Sequence, residues 1–351
     1  MTPLLYNVIA LSLVVLALLL FRRMGRTRAP GFFALLLVGG GLAGAVAVLA
    51  LLGYGFGIVR LLAYGVFVHF PLFLFGTAVL LRGRRRGLAR FAAITGIAII
   101  LVGVEAFLIE PHWLQVTRRT ITSPKLERPV RVAVLADIQT DAPGPYEERV
   151  LREVRAANPD LILFAGDYLQ VPKNRDKAAA VRTFQNILRQ ADLRPPLGSY
   201  AVRGNFEHRV ELTELFARTP VIPLQETQAL DLGPLALTGL SVSDSFNRFC
   251  AVAAQPKFHL VLGHSPDFSL GQVEADLLVA GHTHGGQVRL PFIGPLATGS
   301  AVPRKWGSGL TEIAPRKHLL VSRGVGMERG SAPRLRFLCR PELAIVDLLP
   351  E

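Results

Sequence analysis

At 351 residues the chain is long enough for two or three domains, and its net charge of +13 and 50% hydrophobic content belong to two unlike parts. Residues 1–110 hold 10 of the 39 Lys+Arg and 2 of the 26 Asp+Glu, a net of +8, which leaves the rest of the chain at only +5. A mildly basic remainder with no basic stripe speaks against a nucleic-acid footprint. Two cysteines, Cys250 and Cys339, are too few for a disulfide scaffold or a CxxC metal site and read as buried free thiols.

The N-terminal part shows four apolar stretches, at about 3–21, 31–52, 58–81 and 91–109, each near the roughly 20 residues a helix needs to cross a bilayer. A cleaved signal would be one such stretch, not four, and no polar face repeats along them as it would in a soluble bundle. Arginines set the orientation. Arg22, Arg23, Arg26 and Arg28 follow the first stretch, and Arg82, Arg84, Arg85, Arg86 and Arg90 follow the third. Both loops are expected in the cytoplasm, which makes this a multi-pass protein of the cell (inner) membrane with its C-terminal domain on the extracytoplasmic side. His69 and Glu105 are ionisable residues within the spans, a costly placement that is often functional.

Residues 111–129 read as an interfacial linker, with His112 and Trp113 as a membrane-interface anchor, and 130–351 as the second domain. Residues 130–136 read as a buried strand ending in Asp137-Ile138-Gln139. A helix follows at about 146–157, and the strand at 161–165 ends in Gly166-Asp167. After a second helix near 176–190, the strand around 200–202 ends in Gly204-Asn205-Phe206-Glu207-His208, and the strand at 258–262 ends in Gly263-His264. The apolar run at 277–280 stops at Gly281-His282-Thr283-His284-Gly285-Gly286-Gln287, where glycines free the chain to turn and two imidazoles can face one point. Five strands thus deliver metal-competent side chains at their carboxyl ends, the edge where an α/β sheet gathers its ligands. Two carboxylates, one Asn, one Gln and three imidazoles suffice for two divalent ions sharing a bridging carboxylate.

The series Asp137, Gly166-Asp167, Gly204-Asn205, His264 and Gly281-His282-Thr283-His284 resembles the calcineurin-like metallophosphoesterase superfamily. The longer run 281–291, with Ser322-Arg323-Gly324 and Arg340-Pro341-Glu342, is similar to its membrane-associated bacterial phosphohydrolase branch. The resemblance covers about 130–349 and implies two mixed β-sheets sandwiched by helices, appended to the four-helix transmembrane region. It implies Asp137 and His284 on a first metal, Asn205, His264 and His282 on a second, and Asp167 bridging, the ions being Mn, Mg, Zn or Fe. The chemistry implied is cleavage of phosphoester or pyrophosphate bonds by a metal-bridging hydroxide, with Asn205 among the catalytic residues.

Two positions depart from the family pattern. Gln139 stands where the pattern has a histidine, and its carbonyl is a weaker, uncharged ligand that suits hard ions. Phe206 stands where the family's leaving-group acid is expected. Either His208 takes that role, or the leaving group needs no acid, or the domain is a catalytically weak phosphate-binding or sensory unit on a membrane anchor. Arg203, Arg289 and Arg323 are candidates for substrate phosphate, as are Arg304 and Lys305, and Trp306 could line the cleft. Tethering to a membrane makes lipid-linked or membrane-proximal phosphates the expected substrate class, with membrane lipids as neighbours and no nucleic-acid partner.

Overall fold

The computed structural model describes residues 3–23, 55–207, 211–330 and 332–351. The apolar stretch expected at 31–52, Arg26, Arg28 and His208 lie outside the described residues. The chain divides into two compact units, residues 1–107 with 330–333, and residues 108–329 with 334–351.

Three helices among the described residues are long and apolar enough to cross a membrane: α1 (Pro3–Arg23), α2 (Gly57–Leu81) and α3 (Arg86–His112). α2 contains one wide π-helical turn, Gly65–His69. His69, at the end of that turn, is buried and pairs through Nε2 with Asn7 Oδ1 on α1 at 2.9 Å, while its Nδ1 has no hydrogen-bond partner among the described residues.

The second unit is a sandwich of two six-stranded sheets. In chain order its strands are β1 (Gln115–Ser123), β2 (Val130–Leu135), β3 (Leu161–Phe164), β4 (Ser199–Val202), β5 (Val221–Leu224), β6 (Gln228–Asp231), β7 (Leu235–Gly239), β8 (Ala251–Val252), β9 (Phe258–Leu262), β10 (Gln272–Val273), β11 (Leu277–Ala280), β12 (Arg289–Leu290), β13 (Gly294–Pro295), β14 (Gly309–Ala314), β15 (Lys317–Val321) and β16 (Glu342–Pro350). The first sheet runs β1-β16-β2-β3-β4-β5 and the second β14-β15-β11-β9-β7-β6. Both are mixed. β16 is antiparallel to β2 while β2 through β5 are parallel, and β15, β11, β9 and β7 are parallel between antiparallel edge strands.

Residues 115–123, expected within a linker, instead form β1, which pairs with β16 along its whole length. Their polar sequence disguised them. β1 is an edge strand whose side chains are mostly exposed, so it lacks the apolar alternation of a half-buried strand. Glu342 fixes the start of the pairing, accepting Thr117 Oγ1 at 2.7 Å on one oxygen and the Arg323 amide at 3.0 Å on the other.

The inner strands split their residues by period two. Val132 and Val134 face the second sheet and join Leu161, Leu163, Leu260, Leu262, Leu277 and Val279 in the layer between the sheets. Ala133 and Leu135 face outward onto two helices, α4 (Pro145–Ala156) and α5 (Lys177–Ala191). α4 starts at a proline in its first turn, with Glu147 accepting the Gly144 amide at 2.8 Å. α5 is capped by Asp176 and buries Val181, Phe184, Ile187 and Leu188, a stripe at helical spacing. Val261, Leu278, Ala280, Leu319 and Val321 cover the far face of the second sheet.

Candidate metal centre

The parallel strands of both sheets end at one edge. There Asp137 and Gln139 follow β2, Asp167 follows β3, Asn205 follows β4, His264 follows β9, and His282 and His284 follow β11. Sheet-like backbone bonding continues past the strand ends. Asp137 and Gln139 donate their amides to Gly166 and Asp167 at 3.0 and 2.8 Å, and Gly281 donates to His264 at 2.9 Å.

The two sheets approach so closely there that side chains are excluded at key points. A Cβ on Gly166 would lie 2.6 Å from His264 Nδ1 and 2.8 Å from Gly204 Cα, and one on Gly204 would lie 2.1 Å from Asp167 Oδ1. Non-glycine residues also take the left-handed region: Asp137 (φ 48°), Gln139 (39°), Asp167 (55°), His282 (68°) and His284 (48°). Each such conformation costs about 1–3 kcal/mol and persists only where the surroundings impose it.

Ligand atoms converge on this edge. His264 Nδ1 faces the Ala165 carbonyl at 2.8 Å and so carries a proton, which turns Nε2 toward Asn205 Oδ1 at 2.9 Å and Asp167 Oδ2 at 3.3 Å. Asp167, His264 and His282 each offer a ligand atom within 4.8 Å of the others. Asp137 Oδ1 lies 3.8 Å from His264 Nδ1, and both its oxygens accept the His282 amide, at 3.0 and 2.9 Å. The His264 and His282 rings sit 5.0 Å apart, with Phe246 packed edge-on against His282.

Two buried polar atoms in the cluster, Gln139 Oε1 and His284 Nδ1, have no hydrogen-bond partner among the described residues. Gln139 is held by its amide nitrogen, which donates to Gln170 Oε1 and Glu328 Oε2, both at 3.1 Å, so its carbonyl oxygen is fixed as the free end. An orphaned buried acceptor is costly, and a cation is the partner that would satisfy an amide oxygen and an imidazole nitrogen together. The donor set therefore fits divalent ions.

The electrostatics agree. Burial pushes the Asp137 carboxyl up to about 7. Burial would lower His264, but Asp167 and Asp137 outweigh it and raise the imidazole to about 9. Burial and the neighbouring His264 hold His282 down at about 4, and burial drives His284 well below its usual value.

Of the proposed phosphate-binding arginines, none donates to a carboxylate or imidazole of the cluster. Arg203 pairs with Glu211 at 2.7 Å, and Arg323 with Glu342 and Gln115 at 3.3 and 3.0 Å. Arg289 donates to Ser308 Oγ at 2.9 Å and the Gly285 carbonyl at 3.3 Å. The amide of Phe206 donates to Asp167 Oδ1 at 2.9 Å, so this residue holds a ligand even though its ring carries no proton. Cys250 and Cys339 are free and buried.

Sequence reading passed over two residues. The buried Glu207 accepts the amides of Tyr168, Gly204 and Asp167 at 2.6, 2.8 and 3.2 Å, which ties the β3 and β4 loops together. Arg336 is fully buried and spends its guanidinium on the carbonyls of Gly326, Cys339, Arg323 and Gly324, which braces the loop that passes behind Asp137. Glu207 stands in the strand-end run after β4 but was passed over because its carboxylate serves backbone amides, and Arg336 lies away from any strand end.

A family model described as calcineurin-like phosphoesterase matches residues 130–286. A metallophosphoesterase of Aquifex aeolicus is 29% identical over 268 residues, 71% of this chain and 97% of the relative. A phosphodiesterase of Escherichia coli is 28% identical over 265 residues, 68% of this chain and 90% of the relative. A UDP-2,3-diacylglucosamine pyrophosphatase of Chlamydia muridarum is 23% identical over 323 residues, 72% of this chain and 95% of the relative.

If Asp137 and His264 are ligands, binding an ion would require them to shed the protons they hold below about 7 and about 9, so protons would compete with metal throughout that range. Manganese affinity should therefore rise with pH between 6 and 9, more steeply below 7 where two protons are displaced. Calorimetry in buffers of different ionisation enthalpy should show proton release per ion falling as pH rises. Affinity and proton release that do not change with pH would contradict this electrostatic assignment.

Proposed function

We propose, for a chain whose residues 130–286 form the domain of a metal-dependent calcineurin-like phosphoesterase, a membrane-anchored phosphohydrolase that uses two divalent ions. The observation that carries the reading is the cluster of Asp167, His264 and His282, with Asp137 and Asn205 against His264 and the orphaned atoms of Gln139 and His284 at the same strand-end edge. Asn205, His264 and His282 would hold one ion and Asp137, Gln139 and His284 the other, with Asp167 between them. When bound, the ions supply an activated water and neutralise phosphate charge.

The protein's own groups do the rest. The Ala165 carbonyl fixes the tautomer of His264, the Phe206 amide orients Asp167, and the His282 amide orients Asp137. The ring of Phe246 packs edge-on against His282 and steadies its orientation. Phe206 supplies no acid, which favours a substrate whose leaving group needs none, such as a phosphate of a pyrophosphate bond. The Chlamydia relative carries the name of a pyrophosphatase for a diacylated sugar nucleotide, which supports extending the substrate class to lipid-linked pyrophosphates.

The membrane part of the proposal rests on α1, α2 and α3 and on the arginines at 82–90, which span the α2–α3 connection and the start of α3. With the stretch at 31–52 as a fourth span, the catalytic domain lies on the extracytoplasmic side. A reporter fused after Glu351 should then behave as extracytoplasmic, and a cytoplasmic signal would overturn the topology.

The hydrolase reading is tested on the purified full chain with an activated aryl phosphodiester and monoester, with manganese, magnesium or zinc added. Metal-dependent turnover is expected, and Asp167→Asn should lower it by more than about a hundredfold, since even partners outside the ligand shell cost 10–100-fold. Metal binding without turnover for any of the three ions would favour a phosphate-binding or sensory domain, the reading that Phe206 supports.

A further inference from the structure

Beside the metal-binding turn lies a cleft of about 630 Å³ whose lining pairs cations with exposed apolar side chains. Its cations are Arg289, Arg304 and Lys305, and no carboxylate lines it. Neither Arg304 nor Lys305 forms an ion pair among the described residues, while Arg289 is aimed by Ser308. The opposite wall is the tip of the β12–β13 hairpin, where Phe292 is wholly exposed and Ile293 is 63% exposed. Leu338, also more than half exposed, closes the cleft.

Two adjacent large apolar side chains this exposed at a hairpin tip are not explained by the fold, because neither belongs to a core cluster among the described residues. The backbone presents them deliberately. Phe292 takes φ 66°, which turns a bulky ring outward at the cost of left-handed strain.

The cleft's position matters as much as its chemistry. Pro295 of the hairpin packs where a Cβ on Gly286 would stand, at 2.4 Å, and Arg289 bonds the Gly285 carbonyl, so the cleft is built on the turn that carries His282 and His284. The Leu338 amide donates to Glu110 at 2.8 Å, and Glu110 lies in the last turn of α3. The cleft's Leu338 is therefore tied to the first residues of this unit.

The geometry points to a binding site for a phosphorylated amphiphile, with Arg289, Arg304 and Lys305 on the phosphate of its head and Phe292 and Ile293 on the first part of its acyl chains. This inference rests on the hydrolase reading and names the substrate class of that site. Charge selects the head, since guanidinium and ammonium groups unpaired by carboxylates match phosphate. The hairpin selects the tail, since each exposed side chain regains apolar burial only against hydrocarbon.

The test uses the full chain in mixed micelles, with dioleoyl phosphatidic acid, glycerol 3-phosphate and dioleoyl phosphatidylcholine each competing against a soluble aryl phosphodiester. Phosphatidic acid is expected to inhibit at a concentration at least about tenfold below that of glycerol 3-phosphate, the factor that 1.4 kcal/mol of tail contact supplies. Phe292→Ser with Ile293→Ser should erase that ratio, and Arg304→Ala with Lys305→Ala should weaken both anionic inhibitors. Equal inhibition by phosphatidic acid and glycerol 3-phosphate, equal inhibition by phosphatidylcholine, or a ratio that survives the double serine variant would overturn the site. A polarity-sensitive fluorophore on Ile293→Cys gives the same comparison without turnover, the native thiols being buried. Its emission should shift blue with phosphatidic acid and not with glycerol 3-phosphate or phosphatidylcholine. Absence of turnover would then count against the hydrolase reading alone, and absence of the shift against this one.

Discussion

The closeness of two backbones governs this domain. Where β3 and β4 of one sheet meet β9 of the other, Gly166, Gly204 and His264 pack so tightly that a single added methyl at either glycine would strike a neighbour. That contact puts the Asp167 carboxylate and the Asn205 amide both within reach of the His264 imidazole, although the three come from three strands in two sheets. Every later feature of the site depends on it. The left-handed backbone at Asp137, Asp167, His282 and His284 is tolerated because ladders on either side leave those residues no other path.

Charge is handled by the same economy of space. Two buried carboxylates at this edge would repel each other in an ion-free protein, and the structure answers by charging His264 between them. Glu207 adds a third buried carboxylate, satisfied by three backbone amides, and Arg336 supplies a buried cation behind Asp137. The arrangement holds oxygen and nitrogen donors in place, which is what preorganisation for an ion would require.

The strand-end residues were legible because each follows an apolar run and is punctuated by glycine: Asp137, Asp167, Asn205, His264, His282 and His284 all stand where that pattern put them. The same runs announced an α/β sheet, whereas the pairing of two mixed sheets followed only from the family resemblance. β1 was not, because an edge strand with exposed side chains has no apolar period to read. Glu207 and Arg336 were hidden for another reason. Their partners are backbone amides and carbonyls, most of them from other loops, and no local pattern marks a side chain that serves the main chain. Gln139 illustrates the limit from the other side: its type suggested a weak ligand, and only the packing of Gln170 and Glu328 shows its oxygen held free.

The central claim is that this edge holds two divalent ions, and the most direct test is to locate and count them. Crystals of the full chain grown with manganese, read by anomalous scattering, should show two ions per chain. One should touch Asp167, Asn205, His264 and His282, and the other Asp137, Gln139, Asp167 and His284. A single ion, or ions bound away from these side chains with Gln139 Oε1 and His284 Nδ1 still unpartnered, would contradict the account.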